Sequence, residues 1–198
     1  MPKVGMEPIR REALINAIIA EIGEAGTLDV PVSRIARRAG VSSALAHHYL
    51  GSKEQMFLTA MRHTLARFRA DVVQALAAAD GPRARLDAIV AKSFAPAHFQ
   101  RGTISAWMNF YALAHAHPVA RRLLEVYRRR LRSNLRHDLR PLVGARAQDV
   151  AERLAFLIDG AYLNEGLGEA PPDGAGAAAH VLACLDLELS RPEKGSQR

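Results

Sequence analysis

The sequence predicts an all-α protein, and three observations lead to this prediction. Apolar residues recur at the three- and four-residue spacing of a helix along most of the chain. No stretch shows the alternation of apolar, β-branched residues with polar ones that indicates a strand. Proline and glycine fall between the periodic stretches, where they end one helix before the next begins. We therefore expect a series of helices joined by short turns.

Composition and charge limit the classes of protein that fit this chain. Its 198 residues are 49% hydrophobic and 24% charged, which is enough to bury a core in one or two domains. The net charge of +7 suits a partner that carries phosphates, although many basic proteins bind no nucleic acid. The single cysteine, Cys184, excludes an internal disulfide and indicates a reducing compartment. Without a membrane-length apolar run or a signal-peptide pattern, we expect a cytoplasmic protein that makes no membrane contact.

Residues 32–49 carry the most informative pattern of the sequence. Two short apolar stripes flank Gly40, which can adopt the positive φ that a tight corner requires. Ala36 is small enough to lie where two helices cross, and the Ser42 hydroxyl can cap the second helix. The pattern predicts a helix-turn-helix, although an ordinary helical hairpin has the same spacing. A helix over about residues 8–24 would complete a three-helix head.

The remaining helices are predicted from their caps and breaks. Thr27 and Ser33 are both candidates to cap the helix that follows Pro31. Ser52 and Gln55 form a capping box, which predicts the start of a long connecting helix. Further helices are expected over about 82–96, 103–116, 118–140, 146–168 and 174–190, with a break at Pro141 to Gly144.

These elements, in this order, resemble the TetR family of transcription regulators. The likeness is strongest over residues 9–56, where IARRAGVSSALAHHYLGSKEQM is similar to the head of that family. A finer likeness, to the choline-responsive regulators of glycine betaine synthesis, includes AWMNFYAL at 106–113, RRLRSNL at 129–135 and LIDGAYL at 157–163. Four positions depart from the family pattern, namely Pro31, Ala44, His47 and Leu50. The departures in the recognition segment leave open which DNA sequence is read.

The resemblance implies an N-terminal helix-turn-helix DNA-binding head at residues 1–52 and a helical ligand-binding and dimerisation body at 53–190, followed by a disordered tail at 191–198. It implies a repressor that needs no cofactor and acts as a homodimer on a near-palindromic, double-stranded operator. Choline or a related quaternary ammonium would control its operator affinity, and the controlled genes would be those of glycine betaine synthesis. A regulator of an unrelated pathway with another hydrophobic or cationic ligand is the alternative. An enzyme is a remote alternative, because the sequence contains no HExxH, GxSxG or glycine-rich phosphate loop.

A recognition helix over about residues 42–49 would enter the major groove of DNA. Base contacts are expected from Ser42, Ser43, Ala44 and His47. Phosphate contacts or packing of the head are expected from Arg37, Arg38, His48, Tyr49 and Lys53, and a solvated face is the alternative for the two arginines. The adjacent histidines do not predict a metal site, because neighbouring residues on a helix point about 100° apart.

A second candidate site combines aromatic rings with a carboxylate. Trp107, Phe110 and Tyr111 share one helical face, a spacing that on its own favours an ordinary core. A quaternary ammonium is bound by aromatic faces and an opposite charge. Asp159 lies inside an apolar run, with Tyr162 about one turn later, and an ion pair with an arginine is the alternative for this acid. The resemblance shifts the balance towards a ligand site formed by these five residues.

The last two predicted helices carry apolar stripes that favour self-association as a four-helix bundle. The expected contact residues are Val150, Leu154, Leu157 and Ala161 on one helix and Ala178, Val181, Leu185 and Leu189 on the other. The arginine-rich stretch at 121–140 is expected to be a solvated face.

Overall fold

The computed structural model describes residues 6–191, and the regular elements in this range are all helical, which confirms the predicted class. The helices are α1 (Met6–Ala25), α2 (Val32–Arg38), α3 (Ser43–Leu50), α4 (Lys53–Ala78), α5 (Gly81–Ser93), α6 (Arg101–Ala116), α7 (Pro118–Val143), α8 (Ala147–Leu167) and α9 (Gly174–Ser190). Over these residues, none of the helices combines the length and the apolar character that crossing a bilayer requires. Except for Arg191, the tail predicted to be disordered lies outside the described residues.

The chain forms two compact units. The first contains the described residues up to Arg67 together with Arg101–Arg121, and therefore includes α1–α3, the first part of α4, all of α6 and the first residues of α7. The second contains Phe68–Gln100 and the described residues from Arg122 onwards. Helix α6 thus packs with the helices of the N-terminal head, although it lies far from them in the sequence.

Helices α1 and α6 make a close backbone contact in the first unit. Gly23 lies so near Gly102 that a Cβ atom added at Gly23 would overlap the Gly102 Cα. Two side chains of α6 also donate to carbonyls at the end of α1. The Asn109 amide lies 3.2 Å from the Gly26 oxygen, and the Ser105 hydroxyl lies 3.4 Å from the Ile22 oxygen. The Asn109 bond satisfies a carbonyl beyond the last turn of the helix, whereas the Ile22 carbonyl also accepts from the Gly26 amide at 2.9 Å.

The predicted corner between α2 and α3 is confirmed. Gly40 has a φ of 68°, and the Val41 amide donates to the Ala36 carbonyl at 3.0 Å. Ala36 and Ala46 are both at most 1% exposed, so the two helices cross where their side chains are small. The residue that precedes α2 is Pro31, and no side chain caps the helix. Thr27 instead accepts a hydrogen bond from the amide of Asp29.

The caps predicted for α3 and α4 are also present. The Ser42 hydroxyl accepts from the Leu45 amide at 3.2 Å. The Ser52 hydroxyl accepts from the Gln55 amide at 3.2 Å, and the Gln55 side chain accepts from the Ser52 amide at 2.8 Å. This reciprocal pair starts α4 at Lys53.

The helix predicted to end at about residue 140 extends further, and the expected break at Pro141 to Gly144 falls at its glycine end. Helix α7 continues through Pro141 to Val143, and the chain turns at Gly144, which has a φ of 56°. A proline this close to the end of a helix removes one backbone hydrogen bond but need not stop the helix at once. The turn therefore falls where glycine allows a positive φ.

The apolar stripes predicted for self-association are wrong for four of their eight residues, whereas Leu157 is exposed as expected. Val150, Leu154, Val181 and Leu185 are at most 1% exposed, because they form the core between α8 and α9 and their neighbours in the second unit. A different face is exposed. Its large apolar side chains are Phe156, Leu157, Leu163 and Leu167 of α8 and Leu187 of α9. The sequence pattern identified apolar stripes but did not show which stripe a neighbouring helix would cover.

Candidate nucleic-acid interface and ligand site

Helix α3 presents an exposed face that begins at its capping residue and reaches its last turn. Ser42, Ala44, His47 and His48 are exposed, whereas Ser43 and Tyr49 are half-buried. Buried Ala46 and Leu50 hold the opposite side of α3 against the first unit. The Ser42 oxygen already caps the helix, so its hydroxyl hydrogen is the group that can reach an acceptor. Three of the four predicted base-reading residues, Ser42, Ala44 and His47, are therefore accessible along a helix that a major groove can admit.

The His47 ring is held by the end of its own helix. Its Nδ1 atom lies 2.9 Å from the carbonyl oxygen of Gly51. A carbonyl only accepts hydrogen bonds, so Nδ1 carries a proton, and in the neutral ring Nε2 is an acceptor. Such an acceptor matches the amino groups that adenine and cytosine present in the major groove. Among the described residues, no group of metal-binding side chains includes this histidine.

Lys53 stands at the first position of α4, as expected, but its ammonium has a protein partner. Its Nζ lies 2.8 Å from the Asp29 carboxylate, which is 95% exposed. The hydrogen bond and charge of Lys53 keep the pKa of Asp29 below its ordinary value. A phosphate would have to compete with this exposed ion pair, which is weak because water screens both groups.

The two arginines of α2 differ in their surroundings. Arg38 pairs with Glu21 and Glu24 of α1, each at 2.5 Å, and these hydrogen bonds raise its pKa, Glu21 having the larger effect. Arg34, one turn earlier, pairs with the same two acids. Arg37 is exposed and takes part in none of the ion pairs within residues 6–191. Arg37 is thus available for a DNA phosphate, whereas Arg38 holds α2 against α1.

Sequence reasoning missed Glu21, which is 3% exposed. The signal was present, because Glu21 interrupts the apolar face formed by Ile18 and Ile22. A buried carboxylate requires paired charges, and Arg34 and Arg38 provide them. We call Glu21, Glu24, Arg34 and Arg38 the Glu21 network; it orients the helix-turn-helix on α1.

The three aromatic residues predicted on α6 lie together in the first unit. The Trp107 ring is 5.8 Å from that of Phe110 and 5.6 Å from that of Tyr111. Phe110 also contacts Phe57 of α4 and is completely buried, while Trp107 is 5% exposed. Tyr111 is half-buried and is the most accessible of the three. Phe110 thus forms part of the core of this unit.

Asp159 and Tyr162 belong to the second unit. The Arg128 guanidinium lies 3.2 Å from the Asp159 carboxylate, the pairing that the sequence left as the alternative. The Tyr162 hydroxyl donates to the Ser93 carbonyl at 2.7 Å, and burial, followed by the charge of Asp159, raises the pKa of this phenol. The Tyr162 ring packs with two buried phenylalanines. These three rings, which we call the Phe94 group, are Phe94, Phe99 and Tyr162.

Replacing Lys53 by alanine is expected to weaken binding to all DNA sequences alike. The slope of log affinity against log salt should decrease by about one unit, because one phosphate contact is lost. The comparison variant is Arg37→Ala, which removes a cation that forms no ion pair within residues 6–191 and should have the larger effect. His47→Ala should instead change the preference among operators that differ by one base pair. Fluorescence anisotropy over a salt series measures the slope, and the same method with operators that differ by one base pair measures the preference. If Lys53→Ala changed the preference and His47→Ala changed only the slope, the roles of these two residues would be exchanged.

Two regions of the chain match families of known proteins. Residues 14–60 match the family described as bacterial regulatory proteins, tetR family. Residues 82–190 match the family described as BetI-type transcriptional repressor, C-terminal. The two matches together cover the helix-turn-helix and most of the remaining chain.

Curated relatives are similar over nearly their whole length. The regulator named HTH-type transcriptional regulator BetI from Brucella suis biovar 1 is 46% identical over 191 residues, which is 96% of each chain. The regulator of the same name from Agrobacterium fabrum is 48% identical over 190 residues, which is 96% of this chain and 92% of the relative.

Solved structures share the fold. A transcriptional regulator from Pseudomonas aeruginosa PAO1 has a TM-score of 0.77 at 26% identity, over 95% of this chain and 94% of that one. A transcriptional regulator from Saccharomonospora viridis, solved in complex with choline, has a TM-score of 0.76 at 22% identity, over 89% and 95% of the respective chains.

Proposed function

The chain belongs to the TetR family of transcription regulators and carries a BetI-type C-terminal domain, and on this premise we propose that it represses genes of glycine betaine synthesis under the control of choline or a closely related quaternary ammonium. It acts by binding rather than by catalysis, as its relatives are regulators. The proposal has three parts, namely operator binding, effector binding and self-association.

The exposed face of α3 is the observation on which the proposed DNA binding rests. Ala44 and His47 lie on its outer side, and capping by Ser42 keeps the first turn helical. Base contacts are assigned to Ser42, Ser43, Ala44 and His47. Arg37, Lys53 and nearby Tyr49 and His48 contact the phosphates, which position the helix without reading the sequence.

The effector part is supported by the relatives. Regulators that are 46% and 48% identical carry the name BetI, and a structure with the same fold holds choline. Trp107 and Tyr111 in the first unit are candidates for aromatic contacts with the cation. An effector controls operator affinity when it binds one state of the protein more tightly than the other.

Self-association is supported by the exposed apolar face of α8 and α9. Phe156, Leu163 and Leu167 recur along one side of α8 and are 49–72% exposed. Burying each large side chain contributes about 1.5–3 kcal/mol, so pairing two copies through this face is favourable. A twofold dimer then reads two half-sites about one DNA turn, ~34–36 Å, apart, which requires a near-palindromic operator.

Binding to DNA upstream of the protein's own gene tests the operator part. We expect a footprint with twofold symmetry and an affinity that decreases as salt increases, with a slope of about −0.9 per phosphate contact. Added choline should change this affinity, whereas a neutral alcohol of similar size should not. An affinity that is independent of salt, without a footprint, would reject the proposed repressor.

Calorimetry with choline tests the effector part. Tyr111→Leu removes a half-buried ring, whereas Tyr111→Phe retains it. We expect Tyr111→Leu to weaken choline binding about threefold to tenfold, because one cation–π contact is lost, and Tyr111→Phe to bind like the wild type. Equal heats for both variants would remove Tyr111 from the site and leave the operator part unaffected.

A further inference from the structure

A second set of rings, with its own carboxylate, lies in the second unit around Phe68. The His98 ring is perpendicular to the Phe68 ring, with 5.3 Å between their centroids, and the Tyr127 ring is tilted against it at 6.1 Å. His98 Nε2 lies 2.7 Å from an oxygen of Asp71. Three parts of the chain contribute, since Phe68 and Asp71 are on α4, Tyr127 is on α7 and His98 follows α5. We call these four residues the Phe68 cluster.

The carboxylate of the Phe68 cluster differs from three other aspartates of the same unit. Asp87, Asp138 and Asp159 each pair with an arginine. Asp71 pairs with His98 alone among the ion pairs found between residues 6 and 191. A carboxylate accepts hydrogen bonds, so Nε2 of His98 donates, and a neutral imidazole can do this without cancelling the negative charge. The cluster therefore places beside aromatic rings an acid that has no arginine or lysine partner in the described part of the chain.

The Phe94 group shows what a closed aromatic core looks like in this unit. Its rings are at most 6% exposed, and its one hydroxyl is satisfied by a backbone carbonyl. The Phe68 cluster is open by comparison. The Asp71 side chain is 42% exposed, and the rings of Phe68 and Tyr127 are half-buried. A dissolved cation can reach the Asp71 carboxylate, whereas a closed core would have no use for a charged group at this position.

The residue types of the cluster match one kind of ligand. A quaternary ammonium has no hydrogen to donate, so aromatic faces and a carboxylate at short range are the groups that bind it. A primary amine or guanidinium would instead need several directed acceptors. Phe68 and Tyr127 offer the rings, and Asp71 offers the charge.

We propose that the Phe68 cluster binds the quaternary ammonium head of a small organic cation. In this arrangement Phe68 and Tyr127 contact the methyl groups, Asp71 supplies the opposite charge, and His98 is a positioning residue that orients the carboxylate. This inference rests on the proposed function, because it names residues that hold the cationic head of the effector in place of Trp107 and Tyr111. Calorimetry of the Tyr111 variants beside those below decides between the two assignments.

The test is calorimetry on the full-length protein with two probes, choline and its neutral isostere 3,3-dimethylbutan-1-ol. Asp71→Asn keeps the size of the side chain and removes its charge. We expect it to weaken choline binding about tenfold and to leave the affinity for the neutral isostere unchanged. The matched control is Asp87→Asn, since Asp87 has the same 42% exposure, lies in the same unit and pairs with Arg83 instead. It should bind choline like the wild type.

A second variant tests the cluster independently in case Asp71→Asn does not fold. Phe68→Leu retains an apolar side chain but removes the ring, and it should weaken choline binding about fivefold. Circular dichroism and operator affinity without effector should match the wild type for all variants. If the wild type binds choline and both Asp71→Asn and Phe68→Leu bind it equally well, this cluster is not the cation site, and the proposed function stands. If the wild type gives no heat with choline, the choline part of the proposed function fails and the cluster assignment fails with it.

Discussion

Replacing Gly23 by alanine is expected to destabilise the first unit by about 2–3 kcal/mol, the cost of forcing an extra methyl group into a filled contact. A Cβ at Gly23 would overlap the Cα of Gly102, and a backbone atom cannot rotate away as a flexible side chain can. Relief requires that α1 and α6 move apart. The separation would also stretch the hydrogen bonds from Asn109 and Ser105 to the end of α1. We expect a decrease in Tm of about 5–10 °C in a thermal unfolding scan.

The reverse substitution at the same contact provides the control. A Cβ added at Gly102 would lie 3.8 Å from the Gly23 Cα, which is ordinary van der Waals contact. Alanine also has a higher helix propensity than glycine by about 1 kcal/mol. Gly102→Ala should therefore leave the Tm unchanged or raise it slightly. Similar losses for both variants would show that the close approach of the two helices does not determine stability here.

Replacing Glu21 by glutamine is expected to cost about 2–3 kcal/mol of stability and to weaken operator binding. The carboxylate side chain is 4% exposed and pairs with Arg34 and Arg38, so its loss leaves two guanidinium groups without their buried partner. This figure is below the range for a fully buried pair, because the arginine side chains are about 40% exposed and water screens their charge. Since both arginines belong to α2, their loosening also changes the angle at which α3 is presented.

Glu24→Gln is the matched control within the Glu21 network. It removes a carboxylate that pairs with the same two arginines, but the Glu24 side chain is 51% exposed. We expect it to cost less than about 1 kcal/mol, as exposed ion pairs do. Chemical denaturation measures the stability, and anisotropy with operator DNA measures the binding. If the two variants were equally stable, burial would not be what makes Glu21 important.

Local signals account for what could be predicted about the head. Helical periodicity located α1 to α4, Gly40 located the corner, and Ser42 and Ser52 located two caps. Each of these signals depends on residues within about one helical turn of each other, so the backbone conformation follows from the adjacent sequence. The cap of α2 could not be chosen, because Pro31 stands in that position and no side chain performs the role.

Pairings between distant residues could not be predicted in the same way. Asp29 and Lys53 are 24 positions apart, and Asp71 and His98 are 27 apart, so no spacing rule connects them. The sequence indicated only that an arginine could pair with Asp159. The packing of α7 against α8 makes Arg128 that arginine. Periodicity also found the stripe with Val150 and Leu154 without showing that the core of the unit covers it.

The sequence by itself determined the all-helical class and the helix-turn-helix, because periodicity, glycine and capping groups act over a few neighbouring residues. Only the tertiary structure decided that α6 packs on α1 through Gly23 and Gly102, that the Glu21 network supports α2, and that Phe156 and Leu163 are left exposed on α8. These outcomes depend on which helix faces come together. That choice is made by side-chain volume and charge summed over the whole chain, which a local pattern does not contain.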